Sequence, residues 1–196
     1  MSDTLETLYE ALKTDPTRAL AGLRAHPDGM TGEPPTVLLD LLLAGGIDPT
    51  SPYHLIAREW ERRPMGEALW NGFRRATRRS TRETAAWLIK CFPSASTAAE
   101  LLERALQQDE DVQVRGLLIQ AIDLLAFARE VSWGDTKPAF ERLLADSQPA
   151  IRERAAGALG SFPVSDEIVH LLQARAADPS DDVAKTARYV LSQLRR

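Results

Sequence analysis

Apolar residues recur along this chain at three- and four-residue spacing, as at Leu101, Leu102, Ala105 and Leu106. The strict alternation that marks a strand is nearly absent. The spacing predicts an all-α protein of about twelve helices, each of roughly 9 to 17 residues and joined by short turns. Prolines punctuate the runs at Pro16, Pro35, Pro49, Pro64, Pro93, Pro149, Pro163 and Pro179, where helix starts and connections tolerate a missing N–H. Thr97 with Glu100 and Ser80 with Glu83 have capping-box spacing, and Ser165 and Asp15-Pro16 read as simpler caps.

The helices come in pairs that resemble one another. Thr81 to Pro93 lies over Ile151 to Pro163 with six of thirteen positions identical, where composition alone would give about one. Val114 to Leu125 and Val183 to Leu194 share the frame. Four residues after Thr81, Val114, Ile151 and Val183 stand Ala85, Leu118, Ala155 and Ala187. Eleven residues after them stand Phe92, Leu125, Phe162 and Leu194. The starts are 33, 37 and 32 residues apart, a period that marks a helical solenoid, in which each pair hides its apolar face only by stacking on its neighbours.

The pattern Asp-x-x-x-x-Val/Ile-Arg-x-x-Ala-x-x-x-Leu resembles the second helix of a HEAT repeat of the bacterial PBS-lyase-like kind, best at Asp146 with Ile151-Arg152 and at Asp109 with Val114-Arg115. The resemblance implies a right-handed α-solenoid of about six helix pairs with no β-sheet. It also implies a hydrogen-bonded ladder between repeats that uses Asp109, Arg115, Asp146, Arg152 and Asp178. Ala76 stands where the first copy would carry its Asp, and Ala184 where the last would carry its Arg. The motif covers residues 65–194. Residues 1–64 read as a divergent N-terminal cap, with Leu5 to Lys13 and Thr17 to His26 as one pair and Val37 to Gly45 with Pro52 to Arg63 as another. Residues 27–35 between them read as a flexible loop. The expected division is therefore 1–64 and 65–196.

Charge changes this picture. The 196 residues sum to −4, which disfavours a dedicated nucleic-acid binder. The total is banded, however: residues 1–57 hold 8 acids and 3 bases, 58–82 hold 3 acids and 8 arginines, and 83–196 again sum to −4. Catalytic groupings are missing. Cys91 is the single cysteine, and His26, His54 and His170 have no ligand spacing. No phosphate-loop, dinucleotide or nucleophile-elbow motif occurs, and Gly45-Gly46 reads as a helix C-cap. The expectation is no catalytic residue, no metal and no cofactor. The N-terminus reads as no signal peptide and no apolar run is long enough to span a membrane, so a cytoplasmic monomer is expected.

A solenoid's second helices line its inner face. Outward positions on them are two, three, six and nine residues after each start, and they include Gly116 and Thr84. The candidates for partner binding are Glu83, Trp87, Lys90, Gln120, Asp123, Arg154 and Tyr189, with the aromatics as natural anchors. Trp87 also reads as packing against the preceding repeat's degenerate second helix, near Trp60. Gly157 and Gly160, in one turn, offer either close approach of a partner backbone or close packing of the next helix. Arg74, Arg75, Arg78, Arg79 and Arg82 form the other candidate, a surface for an acidic segment or phosphates, or a set of arginines that only offset a helix dipole or pair with the protein's own acids. HEAT-like proteins are mostly adaptors and scaffolds, so the resemblance implies a non-catalytic scaffold that binds a protein or peptide. The same repeat type occurs in phycobilin lyases and in HEAT-like DNA glycosylases. For the latter, Trp87, Asp123 and Arg154 would be the relevant inner residues.

Overall fold

A computed structural model describes residues 4–26, 28–45, 48, 50–60, 62–108 and 110–194, with the backbone alone for Arg62. Among them are twelve α-helices and no strand. They are α1 (Leu5–Ala11), α2 (Pro16–Ala25), α3 (Thr36–Ala44), α4 (Pro52–Glu59), α5 (Arg62–Arg75) and α6 (Arg79–Cys91), then α7 (Ala98–Ala105), α8 (Val112–Phe127), α9 (Trp133–Leu144), α10 (Pro149–Ala158), α11 (Asp166–Arg175) and α12 (Asp181–Leu194). Short 3-10 turns precede α7 and follow α10.

Local chemistry sets most of the starts. The side chains of Thr4, Asp15, Ser51, Asp111, Ser132 and Ser165 each accept a hydrogen bond from a first-turn N–H of the helix they precede. Each such cap contributes about 1 kcal/mol. Pro16, Pro52 and Pro149 occupy first helical positions, where their fixed φ fits. Neither hydroxyl read as a capping-box N-cap, Ser80 or Thr97, caps its helix. Helix α6 begins at Arg79, so Ser80 lies inside it, and Glu83 bonds Arg79 one turn back instead. Thr97 belongs to the 3-10 turn that runs into α7, so its backbone is helical and not extended, and its side chain makes no cap bond. The helix expected from Pro52 to Arg63 is broken at Trp60, whose backbone is extended and whose indole N–H donates to the Gly32 carbonyl at 2.9 Å.

Helix α8 ends in a Schellman motif. The Arg129 N–H returns to the Ala126 carbonyl and the Glu130 N–H to the Leu125 carbonyl. Arg129 takes the left-handed conformation at φ 61° that glycine usually fills. Its guanidinium reaches the Ser161 carbonyl at 3.1 Å, so the strained residue ties the end of α8 to the turn after α10.

The chain forms two compact units, residues 1–94 and 95–196. This boundary differs from the repeat boundary at 64/65. The pair α5–α6 carries the first in-frame copy of the motif, yet it packs within the first unit, with α3 against both of its helices. Within that unit α1 also pairs with α2, and α3 with α4.

In the second unit α7 packs on α8, α9 on α10 and α11 on α12, while α8, α10 and α12 stack in a row. The frame of the repeat marks the core: Ala85, Leu118, Ala155 and Ala187 are fully buried, and Phe92, Leu125 and Phe162 nearly so. Small residues at the first position let second helices approach closely. Phe140 and Phe162 meet edge to face at 5.4 Å beneath the half-buried ring of Trp133, closing the second unit between α9 and the turn after α10.

Candidate functional site

The stacked helices α8, α10 and α12 share a surface. Gln120 and Asp123 of α8, Glu153, Arg154, Gly157 and Ala158 of α10, and Thr186 of α12 line a shallow groove of about 210 Å³. Gly157 keeps its floor flat, since a Cβ there would stand 3.7 Å from the Thr186 methyl. The Asp123 carboxylate accepts from the Ser161 hydroxyl at 2.5 Å, and Glu153 accepts from the Thr186 hydroxyl at 3.4 Å. Among the described residues neither acid has a cationic partner, so each keeps acceptor capacity toward the groove. Arg154 is exposed and lies over Gly116, its Cγ 3.8 Å from where a Cβ would stand.

Helices α8 and α12, which contribute to the groove, also expose large apolar or aromatic side chains. Tyr189 on α12 is 66% exposed, and on α8 Phe127 is 75% and Leu124 42% exposed. Leu124 and Phe127 are three residues apart and so share one face of the helix.

Two ion pairs join neighbouring helix pairs in this unit. Arg115 of α8 is buried, donates from Nε to the Ala105 carbonyl at 2.7 Å, and pairs with Asp146 in the turn between α9 and α10. Asp146 also accepts from the Gln108 amide at 2.7 Å and the Gln148 N–H at 2.9 Å. Burial pushes the Asp146 carboxyl up, but these bonds and the Arg115 charge outweigh it and hold the group below the ordinary carboxylate range.

Arg152 of α10 grips Asp178 with two bonds, at 2.9 and 2.8 Å, and donates to the Asp146 carbonyl at 2.8 Å. The Arg152 bond holds Asp178 low against its own burial, helped by the Ser180 N–H and by the charges of Arg152 and Arg175. Asp109, the remaining ladder candidate, lies outside the described residues. At the last copy, where Ala184 is buried in α12, Arg188 one turn later donates to the Ala176 carbonyl at 3.0 Å.

A family model for HEAT repeats matches residues 99–192. The protein carries HEAT repeats. HEAT repeats are generally protein-interaction scaffolds and generally non-enzymatic. No curated protein matches the chain.

The sequence candidates divide between the two units. Gln120, Asp123 and Arg154 meet in the groove of the HEAT-repeat unit, with Tyr189 exposed on α12. Glu83, Trp87 and Lys90 lie on α6 in the first unit. There Glu83 is bonded to Arg79 at 2.9 Å, and Trp87 is half-buried with its ring 5.2 Å from that of His54. The packing partner is thus His54 and not Trp60. The Lys90 ammonium stands 5.9 Å from the Trp87 ring centre. Two positions read as outward are inward: Thr84 and Gly116 are buried, the latter under Arg154. Gly160 is held by packing, because a Cβ there would stand only 3.1 Å from Val190.

Among the arginines, Arg74 bonds Asn71 at 2.7 Å, and the half-buried Arg82 lies 4.9 Å over the Phe73 ring. Arg75 and Arg78 are exposed.

Several residues were missed by reading the sequence. Gln108 bonds Asp146, and the buried Glu110 pairs with Arg104. His54 is buried between Trp87 and Phe92, each ring at 5.2 Å, and its Nδ1 has no hydrogen-bond partner. Its signal was available, since His54 shares a helical face with Ala57 in an apolar stripe. Among the described residues no group of three or more His, Cys, Asp or Glu could hold a metal ion, and no helix is long and apolar enough to cross a membrane.

Proposed function

We propose that the protein is a non-catalytic interaction scaffold that holds a protein or peptide partner on the second-helix face of its HEAT repeats, with an arginine-rich band as a further contact. The groove over Gly157 carries the reading. It joins three stacked helices, has a side-chain-free floor, and sets two carboxylates and Arg154 beside exposed Tyr189, Leu124 and Phe127. Aromatic and arginine anchors around a few directional polar groups are the composition that interface centres favour, and monomers rarely leave such aromatics in water.

Photo-crosslinking from the host tests this. A photoreactive phenylalanine at Tyr189 should capture a defined protein, and the same probe at Glu141 on α9 should not. Gly157→Leu, which fills the groove without touching the core, should abolish the Tyr189 crosslink without lowering the melting temperature. Equal capture from both positions, or capture indifferent to Gly157→Leu, would refute the second-helix face as the binding surface.

A further inference from the structure

Arginines at the junction of α5 and α6 follow the helix dipole on one side and oppose it on the other. Arg74 and Arg75 occupy the last turn of α5, where cations offset the partial negative charge of the helix end. The same logic calls for acids at the start of α6. That start has none: its first turn is free of acidic residues, its N-cap is Arg78, Arg79 follows, and no side chain caps the free N–H groups. First turns without an acid also occur in α2, α3, α4, α5, α8 and α10, but among the N-caps described only that of α6 is a cation. Dipole compensation therefore explains Arg74 and Arg75 and is contradicted by Arg78 and Arg79. Glu83 compensates Arg79 one turn on, which leaves Arg78 as the uncompensated cation at this helix start, and a local rule broken without compensation marks a place shaped by function.

Among the described residues the protein's own acids pair with only part of this charge. Glu59 is bonded to Arg24 of α2, outside the band; Glu67 is bonded to Arg63, and Glu83 to Arg79. Arg75 and Arg78 are exposed and, among the described residues, have no carboxylate partner. In the same two helices the Trp70 and Phe73 rings stack at 5.1 Å and Arg82 lies over Phe73.

Residues 1–94 are electrically neutral in sum, with 12 acids and 12 bases, so their positive charge is gathered into this short band and the rest is acidic. Such a surface suits a short anionic segment. A duplex, with one charge per about 1.7 Å of axis, would extend past the band onto the protein's own acids.

We infer that the α5–α6 junction binds an acidic segment of a protein partner, whose carboxylates take the guanidinium forks of Arg75 and Arg78. The inference rests on the scaffold reading and names the chemistry that its arginine-rich band would recognise.

Fluorescence anisotropy with fluorescein-labelled octaglutamate tests it. Wild-type protein should bind at 50 mM salt and lose roughly tenfold or more of its affinity by 300 mM, as exposed charge pairs are screened. The double variant R75E/R78E should bind at least about tenfold more weakly. R75K/R78K should fall between the two, because lysine keeps the charge and loses the bidentate fork. Folding is checked by melting temperature, which Arg78→Glu should not lower, since an acid suits that helix end. Absence of binding at 50 mM salt, or R75E/R78E binding like wild type, overturns the inference. So does a 20-base-pair duplex that binds more tightly than octaglutamate and is lost in R75E/R78E, since the band would then be a nucleic-acid surface. Gly157→Leu must bind octaglutamate like wild type. Loss there would place the peptide in the groove of the HEAT repeats, ending this inference while leaving the scaffold reading intact.

Discussion

Asp146→Ala removes the one carboxylate that, among the described residues, neutralises a guanidinium held away from water. The Arg115 side chain is only 1% exposed and that of Asp146 2%, so neither charge is rehydrated when its partner goes. Among the described residues, what remains for Arg115 is its bond to the Ala105 carbonyl. The Gln108 amide and the Gln148 N–H lose their acceptor at the same time.

Removing one partner of such a pair costs about 3–5 kcal/mol, a large part of the roughly 5–15 kcal/mol that holds a domain folded. Removing both charges, as in Arg115→Met with Asp146→Ala, costs much less, because no uncompensated ion stays buried. Urea denaturation followed by circular dichroism and by the fluorescence of Trp133, which packs within the same unit, gives both values and their coupling. The single change should lower stability by at least about 3 kcal/mol and the double change should recover most of it.

The pH dependence has a definite sign. Because the folded carboxyl lies below its unfolded value, its contribution is present above pH 3.8, the ordinary carboxylate value, and is lost as pH falls through the folded value. Asp146→Ala should therefore flatten the acid limb of the stability curve. A single-variant cost below about 1 kcal/mol, or simple additivity in the double variant, would refute the reasoning.

Two further outcomes follow from the packing. His54 is buried and its pKa is lowered by desolvation and the nearby Arg58 charge, with Asp48 opposing, so the folded state disfavours its proton. The stability of the first unit should hold steady above pH 6.5 and fall as pH drops below it, and His54→Leu should remove that decline in equilibrium denaturation at stepped pH. Gly157→Ala and Gly160→Ala should differ. A methyl at 157 meets only ordinary contact with Thr186 and gains about 0.5–1 kcal/mol of helix propensity, whereas at 160 it crowds Val190, so thermal melting should rise for the first and not for the second.

The repeat frame was readable because stacked helix pairs are held by contacts that recur at fixed, short sequence spacing. Ala85, Leu118, Ala155 and Ala187 fall in register for that reason, and all are fully buried. Helix starts were less readable. A hydroxyl with a glutamate three residues on satisfies capping-box spacing at Ser80 and Thr97, yet the neighbouring turn decides the backbone conformation on which a cap depends. The burial of Thr84 and Gly116 was hidden for another reason: a helical wheel shows one helix, and the side chain that covers Gly116 comes from Arg154, 38 residues away.

Within the candidate groove, sequence spacing could place Gln120 and Asp123 on one face of α8, and Glu153, Arg154 and Gly157 on exposed parts of α10. It could not state that these faces meet, that Ser161 bonds Asp123, or that Thr186 closes the third side. The charge band shows the same division. Eight arginines against three acids over residues 58–82 is a sequence fact, but the bond from Arg24 to Glu59 joins residues 35 positions apart and was visible only in the folded chain.

By itself, then, the sequence determined the helical class, the repeat period, the small and large core positions and the banding of charge. All of these are set by interactions local to one helix or one repeat. Tertiary structure alone decided which charges are satisfied, which glycines are open, that His54 is sealed between two aromatic rings, and where the compact units divide. Those outcomes depend on the register of one helix against another, and a shift of a single turn would exchange every partner involved.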